Sequence, residues 1–400
     1  MKTKIAIIGA GPAGLALANA LLRRGIGDFL VLEREEEAGG LCRSQVVDGT
    51  PLDTGGGHFL DVRRPAVTAF AFDFLPEAEW NRFDRDSRIS IHGRLIGSPF
   101  EANIWQLDEA HQRRYLADIA AAGCNTGAPM PEKFVDWIYW KLGRGIAEDY
   151  MLPYNRKMFG DDLNVLGTYW LEKLPNVSYE DTLRSCEERR PHAVQPGHAS
   201  FHYPKAFGFG ELWRRMGEAL GPRLLLGTPA RTLDVASRTV NGEIEAGLVV
   251  NTAPWPAFER IDGLSPESLA AIASLRHTAV DIDYVPEDPD TPAQWIYQPD
   301  PALPEHRWLV RRNFLPGSRG YWRETRRERN PPLRPGAFRA TNDWAYPLNT
   351  VGKNEAMAAL LAEASAHGVL GLGRWGEWQH YNSDLVVERA LALAERISRG

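Results

Sequence analysis

Near the start of the chain, three glycines are spaced to hold a dinucleotide: Gly9-Ala10-Gly11-Pro12-Ala13-Gly14. Residues 4–8 before them form an apolar run short enough for a buried strand, and residues 15–24 after them read as a helix. Residues 28–32 read as the next parallel strand, which ends at Glu33. This is the full context of a dinucleotide fingerprint. Gly9 permits the tight turn. Gly11 leaves room for a pyrophosphate against the backbone, and Gly14 lets the helix pack closely on the strand. The phosphates would rest on the N–H groups that a helix N-terminus leaves unpaired. Glu33 is placed to accept hydrogen bonds from the adenosine ribose. Ala13 and Arg34 complete this first set of cofactor candidates.

The residues that follow bear on which dinucleotide is held. Glu37-Ala38-Gly39-Gly40-Leu41-Cys42-Arg43-Ser44 and Asp53-Thr54-Gly55-Gly56-Gly57-His58-Phe59 place two glycine clusters soon after the ribose carboxylate. Small residues there let the backbone run close along an extended cofactor. Gly40, Leu41, Gly56, Gly57 and His58 are therefore cofactor candidates, and Arg43 is a cation for a phosphate or a substrate. With these motifs the chain resembles the FAD-binding oxidoreductases of the glutathione-reductase type. It is more similar to the branch that holds amine oxidases, protoporphyrinogen oxidase and UDP-galactopyranose mutase. The resemblance implies FAD rather than NAD, and an α/β, glutathione-reductase-type FAD-binding Rossmann fold.

Four hundred residues can bury a large core and usually divide into two or more domains. The formal net charge is −6, so no global positive field favours nucleic acid as a partner. The basic groups are Arg189-Arg190, Arg311-Arg312 and the stretch from Arg323 to Arg329, which Glu324 and Glu328 interrupt. Such groups are usually solvated surface, although in a flavoprotein they can also face an anionic substrate. Cys42, Cys124 and Cys186 lack metal spacing and do not make a disulfide framework. Met1-Lys2-Thr3-Lys4 runs straight into the first strand, with no room for a signal peptide, and no apolar stretch is long enough to span a bilayer. A soluble cytoplasmic protein with no membrane partner is the expectation.

To assemble one cofactor site, the chain must return to its first sheet after long insertions. Residues 1–64 read as the first segment of an FAD-binding domain. Residues 65–200, rich in Trp, Tyr and acidic side chains, read as a largely helical substrate domain inserted into it, with helices over 109–122 and 131–141. Residues 201–255 read as the second cofactor segment, with a helix starting near Phe209 and short strands over 224–226, 230–235, 238–240 and 248–250. Residues 256–335, with strands over 278–284 and 308–310, read as the mixed sheet of the substrate domain, and 336–400 as the last cofactor segment.

That last segment carries Gly371-Leu372-Gly373-Arg374-Trp375-Gly376, the same glycine spacing without a following strand and ribose carboxylate. A helix over 385–396 follows, capped by Asn382, Ser383 or Asp384. The resemblance implies that its N-terminus lies at the pyrimidine end of a flavin, where N–H groups favour negative charge on the reduced ring. Gly373, Arg374, Tyr381, Asn382 and Ser383 are the cofactor candidates here.

Within that branch the chain is most similar to UDP-galactopyranose mutase, over nearly its whole length. Tyr154-Asn155-Arg156-Lys157-Met158-Phe159-Gly160 resembles the stretch that supplies an aromatic pair to the nucleotide base. The segment from Phe201 to Trp213 resembles the return to the flavin domain, and Tyr346-Pro347 resembles the tyrosine-proline pair before the last motif. Several positions depart from the mutase pattern. Phe159 stands for a tryptophan, Lys173 for a substrate-facing arginine, His380 for a diphosphate-binding tyrosine and Asn382 for an aspartate. Arg307 falls at the mobile-loop arginine that clamps the diphosphate.

The resemblance thus implies catalytic roles for His58, Lys173, Arg307 and Arg374. It implies substrate contacts from Tyr154, Phe159, Tyr203, Tyr346, His380 and Asn382, of which Phe159 and Tyr203 read equally well as core. The implied reaction interconverts pyranose and furanose forms of a nucleotide sugar through an adduct on N5 of reduced FAD. An external reductant would prepare the flavin, and a homodimer is compatible. The altered pocket admits a sugar other than UDP-galactose. The alternative is an FAD-dependent oxidoreductase that takes hydride from an amine, an alcohol or a sugar-derived substrate. No metal is expected.

Overall fold

The computed structural model describes residues 1–171, 177–192 and 199–399. Its first strand, Lys2–Ile8, pairs in parallel with Phe29–Leu32 on one side and Ile244–Asn251 on the other. Leu224–Leu225 extends the sheet beside Phe29–Leu32, and Val369–Gly371 pairs in parallel with Ile244–Asn251. The parallel core is thus drawn from three separated stretches of chain. Thr239–Val240 and Thr232–Asp234 add an antiparallel flank, and Arg260–Asp262 closes that edge.

Alternation along the first strand decides what covers the sheet. Ile5 and Ile7 join Phe29 and Val31 in the core under the helix Pro12–Arg23. Ala6 and Ile8 face the opposite core, with Ile272 of the helix Pro266–Ser274 and Met357 and Leu360 of Lys353–Ala366. Pro12–Arg23 is buried nearly all round, because Gly210–Glu218 and Ser383–Ser398 also pack on it. Its one buried polar residue, Asn19, bonds the carbonyls of Leu15 and Met216, each at 2.9 Å.

A second sheet has the spatial order Arg339–Pro347, His277–Val285, Tyr321–Arg326, Arg307–Val310, Trp295–Tyr297, Ser87–Ile91, Arg94–Gly97. Its pairs are antiparallel except Trp295–Tyr297 with Ser87–Ile91. A helical lobe sits beyond it: Glu109–Ala120, Phe134–Ile146, Leu152–Phe159 and Tyr179–Glu188 surround a core that includes Tyr115, Phe134, Ile138 and Leu142.

Three boundaries differ from the sequence expectation. The first sheet continues past 255, because Arg260–Asp262 pairs with Thr232–Asp234. The insertion over 65–200 is not only helical: Ser87–Ile91 buries Ile89 and Ile91 at alternate positions and joins the second sheet. The helix expected over 131–141 begins at Phe134 and breaks at Gly143, where φ is 72° and ψ 175°, before a last turn to Ile146. Lys133 is held extended by a bridge to Gly167, and Phe134 N donates to Leu166 O at 3.1 Å, so the first turn forms later. Among the described residues no helix is long and apolar enough to cross a membrane.

Candidate functional site

The glycine turn opens on a cavity of about 510 Å³ at the carboxyl ends of the parallel strands. Gly9 has φ 99°, a conformation that favours glycine, and its N–H donates to Leu32 O at 2.7 Å. A Cβ on Gly14 would sit 2.0 Å from Gly9 O, so only glycine allows the helix this close. A Cβ on Gly11 would meet nothing nearer than Gly40 Cα at 3.9 Å, and one on Gly40 would lie 3.1 Å from Gly11 Cα. The two glycines face each other across backbone that carries no side chain. Gly11 caps the helix without a side-chain hydrogen bond, leaving the first N–H groups to a ligand.

Glu33 is 7 % exposed and accepts from Ala10 N at 2.7 Å and Glu35 N at 3.0 Å. These bonds fix the carboxylate while it lines the cavity beside Arg34. Together with the bare glycine cradle, this donor and acceptor set fits a dinucleotide.

At the other end the wall is made by Cys42, Arg374, Tyr381 and Ser383. Gly373 has φ 79°, and a Cβ there would lie 2.8 Å from Ala13 Cβ. Asn382 occupies the cap position of the helix Ser383–Ser398. Arg374 donates from Nε and Nη2 to Tyr381 O at 3.0 and 2.9 Å and from Nη1 to Ala345 O at 3.0 Å. Burial pushes its pKa down, and its hydrogen bonds go to carbonyls rather than to a carboxylate.

A second chamber of about 200 Å³ shares Leu41, His58, Arg374 and Ser383 with the first. Arg307, Tyr346 and His380 stand on its wall, as do Phe59, Arg85 and Trp295. His58 Nδ1 lies 3.0 Å from Gly56 O, which sets Nδ1–H as donor in the neutral ring. Burial, then the nearby charge of Arg374, pushes His58 down to about 4.

Arg307 directs Nε (3.1 Å) and Nη2 to the same oxygen of Glu324, and its Nη2 lies 3.4 Å from the Tyr346 hydroxyl. Glu324 is 1 % exposed, and its other oxygen accepts from Gly57 N at 3.1 Å. Burial opposes its charge, but Arg307 and then His306 hold it down at about 2. Tyr346 and His380 stack at 5.0 Å, and Phe159 meets both edge-on at 6.5 Å.

The structure therefore brings His58, Gly57, Arg307, Arg374, Tyr346, His380, Asn382 and Ser383 to one chamber wall. Tyr154 and Phe159, each 8 % exposed, stand one layer behind it. Tyr154 packs edge-on against Tyr297 and His306 at 5.5 and 6.1 Å. Tyr203 lies elsewhere, which corrects its expected substrate contact. It is 1 % exposed, because alternation in Ser200–Pro204 turns it into the core, and its hydroxyl donates to Asp53 at 2.9 Å. Burial raises Asp53 to about 6. Gly56 does not line either cavity: a Cβ there would meet Glu324 Oε1 at 2.7 Å, so its smallness admits that carboxylate. Lys173 lies outside the described residues.

Arg85, Trp295 and Glu324 were not legible as site residues. Glu324 falls inside the basic stretch that reads as solvated surface, yet its strand is buried on both faces there and pairing sets it opposite Arg307. Arg311, expected at the surface, is fully buried and donates to the carbonyls of Val47, Thr50, Pro51 and Arg319.

A family model for NAD(P)-binding Rossmann-like domains matches residues 7–74. A putative flavin-containing monoamine oxidase of Mycobacterium tuberculosis is 26 % identical over 280 residues, covering 62 % of this chain and 56 % of that protein. The match thus spans little more than half of that relative's length. Among solved structures, reduced UDP-galactopyranose mutase superimposes with a TM-score of 0.89 at 24 % identity, covering 99 % of this chain and 94 % of that one. A putative protoporphyrinogen oxidase from Exiguobacterium gives 0.69 at 17 % identity, covering 99 % of both. The chain has the mixed α/β fold of these structures.

Proposed function

We propose that this protein is an FAD-dependent mutase that interconverts the ring forms of a nucleotide sugar, with the flavin in its reduced state. The observation that carries this reading is the charge of the smaller chamber. Arg85, Arg307 and Arg374 reach its wall, and Glu324 opposes only Arg307. Asp384, also on the wall, is engaged by Arg64 at 2.5 Å. Such a chamber attracts a diphosphate and repels a protonated amine.

The chain's own residues divide the work. Glu33 would orient the adenosine ribose of FAD, and Gly11 and Gly40 would admit its pyrophosphate. Bound FAD supplies the reactive ring that the protein lacks. The first turn of Ser383–Ser398 aims N–H groups at the shared wall, where negative charge is stabilised. Arg307 and Tyr346 stand on the chamber wall as donors toward an anionic group of the substrate, with the Tyr346–His380 stack beside them. Neutral His58 keeps Nε2 as an acceptor while Nδ1–H stays on Gly56 O. A cytoplasmic location, an external reductant and a homodimer belong to the same proposal.

The test compares oxidised and dithionite-reduced protein on a panel of nucleotide hexoses, with chromatography of the ring isomers. Conversion by the reduced protein alone is expected. The monoamine oxidase relatives favour an oxidoreductase as the second reading. Flavin bleaching by an amine or alcohol without dithionite, with no ring conversion, would put that reading in place of the mutase.

A further inference from the structure

Arg85 is a cation whose neighbours do not neutralise it. It stands between the strands Trp80–Asp84 and Ser87–Ile91 and lines the chamber on the side of Phe59 and Trp295. Its guanidinium carbon lies 4.6 Å from the Trp295 ring centre and 5.5 Å from that of Phe59. Nε donates to Ser87 Oγ at 2.7 Å, and Nη2 lies 3.1 Å from the Tyr297 hydroxyl. Both partners are neutral. Among the described residues no carboxylate lies within 4 Å of it and no hydrogen bond engages Nη1. The flanking acids are committed elsewhere: Asp84 accepts from Ser200 Oγ at 2.8 Å, and Asp86 pairs with Arg88 at 2.9 Å.

The geometry is that of a prepared receptor. Two hydroxyls and two aromatic faces hold the planar fork still, and the unused N–H groups remain for a ligand with two oxygens. The contrast with Arg307 is direct, since Glu324 already takes two of that residue's donors. We infer that Arg85 forms an anion-binding subsite at the Phe59–Trp295 end of the chamber. It selects substrates that place a carboxylate or a phosphate group there. The inference deepens the anionic-substrate reading and rests on it. If Arg307 and Tyr346 hold a diphosphate, Arg85 meets an acidic group on the sugar. If the diphosphate lies against Arg85, the sugar is neutral.

Calorimetric titration of the FAD-loaded protein with UDP, UDP-glucose, UDP-glucuronate and free glucuronate separates the two sources. Arg85→Gln should weaken at least one of these by tenfold or more, with FAD content and melting temperature unchanged, and Arg85→Lys should recover part of the loss. Equal losses for all three nucleotides assign the subsite to phosphate. A loss confined to the uronates assigns it to carboxylate. Binding of free glucuronate that depends on Arg85, without binding of any nucleotide, supports the subsite and defeats the nucleotide-sugar reading. The inference is overturned if the wild type binds none of the four in the millimolar range. It is also overturned if both variants bind every probe within threefold of wild type. Should Arg85→Gln fail to fold, Arg85→Lys binding all probes as wild type, with no weakening by added salt, overturns it equally.

Discussion

Individual side chains in this site are set by what surrounds them more than by their type. Gly11 matters because its missing side chain leaves the cradle opposite Gly40 open. Gly11→Val should fold and yet lose FAD, checked by the flavin absorbance of the purified protein; full occupancy would remove this loop from the cofactor site. Glu324 answers the buried charge of Arg307. Glu324→Gln leaves that guanidinium without a counter-ion, and should cost about 3–5 kcal/mol in urea unfolding of the FAD-loaded protein. A loss under about 1 kcal/mol would show that the pair is not needed for stability. His58 titrates in the folded chain at about 4, below its ordinary value of 6.5. The native state therefore holds fewer protons on it than the unfolded state between these values. Its contribution to stability is whole above pH 6.5 and is lost as the pH falls towards 4. NMR of the ring should give a midpoint near 4 rather than 6.5.

At the scale of elements, the site depends on helices that reach their places at close range. Gly14 brings Pro12–Arg23 against the glycine turn, and a Cβ would strike Gly9 O. Gly14→Ala should destabilise by at least about 1–3 kcal/mol and reduce flavin content with it, measured by thermal unfolding and absorbance. In the helical lobe, Asp108 caps Glu109–Ala120 by accepting from Ala110 N and His111 N at 3.1 and 3.0 Å. Asp108→Ala should cost about 1 kcal/mol and leave flavin content unchanged. Together the two variants separate elements that build the cofactor cradle from elements that only support the lobe.

For the molecule as a whole, the part around the glycine turn and the second sheet are joined through the second glycine cluster. Gly57 N bonds Glu324 of the second sheet, and Asn342 Nδ2 donates to Thr54 O at 2.8 Å. A ligand filling the larger cavity therefore stabilises both parts. FAD at about a hundred times its Kd should add about 2.7 kcal/mol to the apoprotein, seen as a concentration-dependent rise in melting temperature. NAD should give no such rise, and an equal rise with NAD would overturn the choice of flavin.

The first cradle was legible in the sequence because it is local. Turn, helix and strand lie within residues 4–33, and glycine spacing states their geometry directly. The last motif was legible for the same reason, and the helix after it begins at Ser383, two residues before the expected 385. That the first sheet takes strands from separated stretches of chain also showed, since the pattern of strand and helix stops and resumes. What only the tertiary structure decided is pairing across distance. Glu324 reads as one acid inside a basic stretch until strand pairing sets it against Arg307, while its other oxygen meets Gly57 from far earlier in the chain. Arg85 carries no motif at all; its role comes from Phe59, Trp295 and Tyr297 folding around it. Tyr203 carried a family-like motif, and one register of a short strand turned it into the core. Backbone conformation is written in neighbouring residues, whereas a side chain's charge state and exposure depend on partners that only the packed fold brings near.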